Sequence, residues 1–225
     1  MNTSKIDGVI RHRVLTRVPF DFIYEHITEG DIYVAGNCLN QQPPHDIDLF
    51  PVDKLTTIDG SVECIHSTRN ADSVKTDDGT IVQLCKYYHP SLDTLVDSFD
   101  FAHIQIGAKV HVASRSVSMI YYTDAWVEAH AVESTWFTGS QYPLSSLIRL
   151  NKYVKQGAFG GKAYIPSALN ILMAIIERGV TSYDDYKDQL DAVDLGLVER
   201  DVAGVNFMRL FNLLVKDENL QREER

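Results

Sequence analysis

The sequence predicts an α+β protein, a mixed β-sheet with helices followed by an all-helical C-terminal half. Three observations carry this. Short runs rich in β-branched and aromatic residues, Ile32-Tyr33-Val34-Ala35 and Thr80 to Tyr88, read as strands. Apolar residues at i, i+3, i+4 and i+7 read as helices lying between them. Near residue 140 the strand signals stop and only helical periods remain, which sets an α/β region at 1–138 and a helical region at 139–225.

Residues 1–18 show no clean period and are expected to be irregular or strand-like. Pro19 suits a first helical turn. Phe20, Ile23, Tyr24 and Ile27 then give one apolar face, with Gly30 as the stop. The strand at Ile32–Ala35 breaks at Gly36 and passes through a polar loop with two prolines. It restarts as Asp46-Ile47-Asp48-Leu49-Phe50. Residues 62–66 are a short strand candidate, 67–79 a polar loop or weak hairpin, and 80–88 a strand. Ser91 opens a short helix carrying Leu92, Leu95, Val96 and Phe99, and a strand is expected over 100–106. Residues 109–122 are read as strand or hairpin, and the chain to about 137 as helical. Stripes at Leu144, Leu147, Ile148 and Val154, and at Leu169, Leu172, Met173 and Ile176, predict two helices. A third is capped by Thr181 or Ser182, and Phe207, Leu210, Phe211 and Leu214 stripe a fourth.

Composition is that of an ordinary globular protein. The sequence holds no long apolar run and no signal-peptide core at its start, so a cytoplasmic protein without membrane attachment is expected. The three cysteines, Cys38, Cys64 and Cys85, form no CxxC pair, which argues against a zinc ribbon or a disulfide framework. Cys64 and Cys85 are expected in the core. A net charge of −10 argues against nonspecific duplex DNA binding, which needs a basic field.

The chemistry centres on Asp46 and Asp48. Alternation in a strand puts both carboxylates on one face and Ile47 and Leu49 on the other. Paired carboxylates repel unless a cation or proton sits between them, and Mg²⁺ or Mn²⁺ is the natural occupant. Asp100, at a strand start, is a candidate third carboxylate or ribose contact; equally, it caps the strand. Arg149 and Lys152, three apart on a helix, make with Lys155 a basic face suited to nucleotide phosphates or to solvent. No Gly-x-Ser-x-Gly elbow and no phosphate-loop spacing occurs.

The order of strand, Gly36-Asn37 turn and Asp46-Ile47-Asp48 strand resembles the polymerase β-like nucleotidyltransferase superfamily. Further blocks, Arg69-Asn70-Ala71, Ile81-Val82-Gln83-Leu84, Ser98-Phe99-Asp100-Phe101 and Ile148 to Tyr153, resemble a branch found in large DNA viruses, phages and eukaryotes. Phe99-Asp100-Phe101 is also similar to a block of tRNA CCA-adding enzymes. The resemblance implies a nucleotidyltransferase-like fold and transfer of a nucleoside monophosphate from an NTP to an acceptor hydroxyl on RNA, protein or a small molecule. It implies Asp46, Asp48 and Asp100 as catalytic residues, Asp46 and Asp48 as metal ligands, and Gly36, Asn37, Arg149 and Lys152 at the nucleotide. Two departures stand out: Asn37 replaces a small residue, and strand 80–88 offers no acid. The alternatives are an inactive nucleotide- or partner-binding module, or a metal-dependent nuclease.

Overall fold

The computed structural model describes residues 3–40, 46–54, 56–68, 70–179, 185, 188 and 189. The chain divides into two compact units, Met1–Thr138 and Gly139–Arg225. In the first, a seven-stranded mixed sheet has the order β3-β4-β5-β2-β1-β6-β7. Its strands are β1 (Asp31–Ala35), β2 (Asp46–Pro51), β3 (Cys64–Ser67), β4 (Ala71–Lys75), β5 (Ile81–Cys85), β6 (Ile106–His111) and β7 (Ser116–Tyr122). β2 runs antiparallel to β1 and parallel to β5, and β1 runs antiparallel to β6. This is the mixed sheet with helices that the strand signals predict.

One face of the sheet carries the larger core. Ile32, Val34, Ile47, Leu49, Val82, Leu84 and Val110 meet Ile6, Ile10 and Val14 of α1 (Thr3–Arg17), and Phe20 and Ile23 of α2 (Phe20–His26). The opposite face holds Tyr33, Ala35 and Phe50 under Leu92, Leu95 and Val96 of α3 (Leu92–Asp97). The Ser91 hydroxyl accepts from Thr94 N–H to start α3, as a serine N-cap does. Gly107 lets α3 sit this close: a Cβ there would stand 2.8 Å from Leu92 Cδ1 and 2.9 Å from Val96 Cγ2. After the β6–β7 hairpin, α4 (Asp124–Ala131) begins at Thr123, whose hydroxyl accepts from Trp126 N–H.

Several expectations are corrected. Residues 3–17 are helical because Ile6, Ile10 and Val14 fall on one buried face. Val9 and Leu15, exposed on the other side, mask that period. Tyr24 of α2 is exposed, and the helix ends before Gly30. Residues 71–75 form a strand despite their polarity, because β4 pairs along its length with β5. Cys64 is exposed, since β3 is an edge strand with every side chain in solvent.

Residues 100–106 are not one strand. Phe101 makes a single bridge to Phe137, a 3-10 turn covers Ala102–Ile104, and β6 starts at Ile106. Side chains satisfy the backbone here in place of a ladder. Gln105 donates to Phe99 O, Asn40 donates to His103 O, and the Thr135 hydroxyl accepts from His103 N–H.

In the second unit, α5 (Pro143–Lys155) buries Leu144, Ile148, Leu150 and Tyr153, while Val154 is exposed. α6 (Tyr164–Arg178) packs on α5 and buries Ser167 and Ile171. The stripe expected to be its core face, Leu169, Leu172, Met173 and Ile176, is exposed instead. The helices predicted from Thr181 and around Phe207 to Leu214 lie outside the described residues. Among the described residues no helix is long and apolar enough to cross a membrane.

Candidate functional site

β2 alternates as the sequence requires. Ile47 and Leu49 are buried in the larger core, so Asp46 and Asp48 turn to the other face, where both are half-buried. The antiparallel register sets Phe50 against Tyr33 and Leu49 against Val34, which brings the start of β2 to the end of β1. There the chain turns at Gly36, with φ 86° and ψ −147°, a combination essentially confined to glycine. Gly36 N–H donates to Ile106 O at 2.8 Å. A Cβ on Gly36 would stand 3.8 Å from Asp48 Oδ2, so this side-chain-free backbone lies directly beside the carboxylate.

The turn continues as one 3-10 turn, Asn37–Leu39. Asn37 Oδ1 accepts from Asn40 Nδ2 at 2.9 Å. Asn40 is itself buried and also receives Trp126 Nε1 at 3.4 Å. Cys38 lies under the carboxylates and donates to Ala35 O. Burial pushes its thiol up, and the Asp48 and Asp46 charges push the same way. Cys85 is raised for the same reasons, burial first. Both shifts favour the thiol over the reactive thiolate.

Sequence reading missed the neighbour of Asp48. Because β5 runs parallel to β2, Gln83 pairs in register with Asp48 and shares its face. Gln83 Nε2 donates to Ser73 Oγ on β4 at 3.1 Å, which continues a polar row across three strands. No local motif signals this, since it is set by strand pairing alone.

Asp100 is buried, and its carbonyl accepts from Thr138 N–H. Among the described residues no set of three or more His, Cys, Asp and Glu side chains is arranged to hold a metal ion. Asp46 and Asp48 thus stand as a pair, and Asp100 does not complete a three-carboxylate cluster with them. Two carboxylates still fit Mg²⁺, which keeps several waters and uses one or two carboxylates together with substrate phosphates. Arg149 and Lys152 lie on α5 of the second unit, both half-buried, and Lys155 is exposed. His103 shares a hydrogen bond with the Thr135 hydroxyl through Nδ1. Arg69, in one block of the resemblance, lies outside the described residues.

No family model and no curated protein matches the sequence. The branch shared by viruses, phages and eukaryotes therefore has no support from either comparison. Among solved structures, the chain is similar to the Thermotoga maritima CCA-adding enzyme complexed with tRNA, at TM-score 0.42 and 10% identity. That match covers 79% of this chain and 43% of the other. A CCA-adding enzyme complexed with ATP gives TM-score 0.46 and 11% identity, over 96% and 51%. One complexed with CTP gives 0.43 and 10%, over 84% and 46%. The chain spans about half the length of these structures. Likeness at this level assigns neither activity nor substrate to this chain.

Proposed function

We propose that the chain is a nucleotidyltransferase, moving a nucleoside monophosphate from an NTP to an acceptor hydroxyl on RNA, protein or a small molecule. The observation that carries this reading is the meeting of Gly36 with the Asp46 and Asp48 face. A bare backbone beside the Asp48 carboxylate, on the strand face that Asp46 shares, leaves room for a phosphate to approach the peptide groups while a divalent cation offsets the negative charges. Asp46 and Asp48 would hold Mg²⁺ or Mn²⁺, and a bound ion supplies charge neutralisation for the triphosphate.

Gly36 and Asn37 would face the β and γ phosphates. In the transfer, the acceptor oxygen bonds to the α-phosphorus and the bond to the bridging oxygen breaks. Pyrophosphate leaves, and the hydroxyl proton passes to solvent. Asp100 is retained as a candidate ribose contact. The assignment of Arg149 and Lys152 to nucleotide phosphates rests on the sequence alone.

A second reading is favoured by two observations. Asn37 has its side-chain oxygen engaged by Asn40, and among the described residues no third acid joins Asp46 and Asp48 in a metal-holding group. On this reading the fold binds a nucleotide or a partner without turning NTP over.

Pyrophosphate release separates the readings. The protein is incubated with Mg²⁺, each NTP in turn, and RNA carrying a free 3′ hydroxyl. Release that depends on Mg²⁺ and on acceptor is the expected result. Saturable NTP binding without release favours the binding module. Cleavage of the RNA in the absence of any NTP identifies a nuclease and removes the transferase reading.

A further inference from the structure

The Gly36 turn is held from behind by two arginines of α1. Arg13 Nη1 donates to Leu39 O at 2.8 Å, and Arg17 Nη1 donates to Cys38 O at 2.7 Å and also to Asn40 O. Three consecutive carbonyls of residues 38–40 are thus drawn toward α1. The far side of the turn lies against the Asp48 carboxylate. Both arginines are half-buried.

Holding two guanidiniums side by side is costly. Burial, and then the charge of Arg17, lower the pKa of Arg13. Carbonyl oxygens offset that cost through charge-assisted hydrogen bonds. The turn therefore lies between a cationic back and an anionic front.

We infer that Arg13 and Arg17 are positioning residues: they fix the Gly36–Asn40 turn in its phosphate-accepting shape and set a positive field behind it. This rests on the nucleotide reading of that turn. Arg17 reaches both of its carbonyls through one nitrogen, Nη1, on a rigid planar guanidinium, and a lysine supplies the charge without that planar group. Shape and charge can therefore be separated by substitution. A purely structural clamp would need neither the planar guanidinium nor the charge for ligand affinity once the protein is folded.

The test uses the whole 225-residue chain with Arg17→Met and Arg17→Lys, and two readouts. The first is amide hydrogen exchange at residues 37–40, without ligand. The second is affinity for ATP with Mg²⁺, at a temperature where each variant is folded. Arg17→Met is expected to speed exchange in the turn about tenfold or more, with β1 and β2 amides unchanged. It is also expected to weaken ATP affinity about tenfold or more, because the turn loses its shape and the positive charge behind it. Arg17→Lys is expected to loosen the turn as much but to recover part of the affinity.

Unchanged exchange in the turn overturns the proposal. So does a loosened turn with unaltered ATP affinity, since the arginine is then structural only. If Arg17→Met does not fold, Arg17→Lys carries both readouts, and wild-type behaviour in both overturns the proposal. If wild-type protein binds no ATP while exchange responds as expected, the nucleotide reading of the turn has failed, and the positioning role falls with it. The wild-type arm alone identifies that case.

Discussion

Replacing Asp46 and Asp48 together with asparagine is expected to abolish stabilisation by Mg²⁺. The two carboxylates sit two residues apart on one face of β2, both half-buried. A ligand that binds only the folded state contributes about 2.7 kcal/mol when present at one hundred times its Kd. For the wild-type protein that is a rise of several degrees in melting temperature. The double variant should show no rise. Without metal it should be at least as stable as wild type, because the repulsion between the carboxylates is gone. The same change removes the candidate ligands, and a metal's share of transition-state stabilisation is several kcal/mol. Pyrophosphate release should therefore fall by at least about a hundredfold. Differential scanning fluorimetry with a Mg²⁺ titration reads the first effect. An equal metal response in the two proteins places the ion elsewhere.

Phe101→Ala is expected to be the most destabilising single change in the first unit. The ring is fully buried and meets Phe137 edge-on at 6.0 Å between centroids. The same two residues make the only isolated bridge among the described residues. Phe→Ala in a core costs about 3–5 kcal/mol, against a total stability of about 5–15 kcal/mol for a typical domain. Urea denaturation at constant m-value reads this directly. Phe101→Leu, which keeps most of the apolar volume, should cost markedly less. A loss below about 1 kcal/mol for the alanine variant would contradict the burial of this ring.

Much of the fold can be read from local periodicity. Ile32 to Ala35, Asp46 to Phe50 and the Leu92, Leu95, Val96 turn are regular enough that burial follows from spacing. α1 is hidden because Val9 and Leu15 place apolar side chains in solvent and blur its period. β4 is hidden because Asp72 and Ser73 look like loop, while the pairing that makes them strand comes from β5. The stripe on α6 is visible but misassigned, since periodicity gives a face and not the direction in which that face points. The carboxylate pair and its glycine are visible because they lie close together in sequence. Gln83, Arg13 and Arg17 are not, because each reaches the site through tertiary contacts that no local pattern encodes.

The two edges of the sheet differ in how they are covered. β7 is approached by α1, where Arg11 donates to Val117 O. β3 has four exposed residues and a bulge between Cys64 and His66, and such a kinked, short edge resists strand-to-strand association with a second copy. The bulge does not protect the sulfur. Cys64 is the one exposed cysteine of the three, while Cys38 is buried and Cys85 partly so. Oxidation in air should therefore join chains covalently through this rim, three places along the sheet from β2. A dimer band on a non-reducing gel that Cys64→Ser removes, with nucleotide binding unaltered, is the outcome this predicts. A band that survives the change would implicate another sulfur.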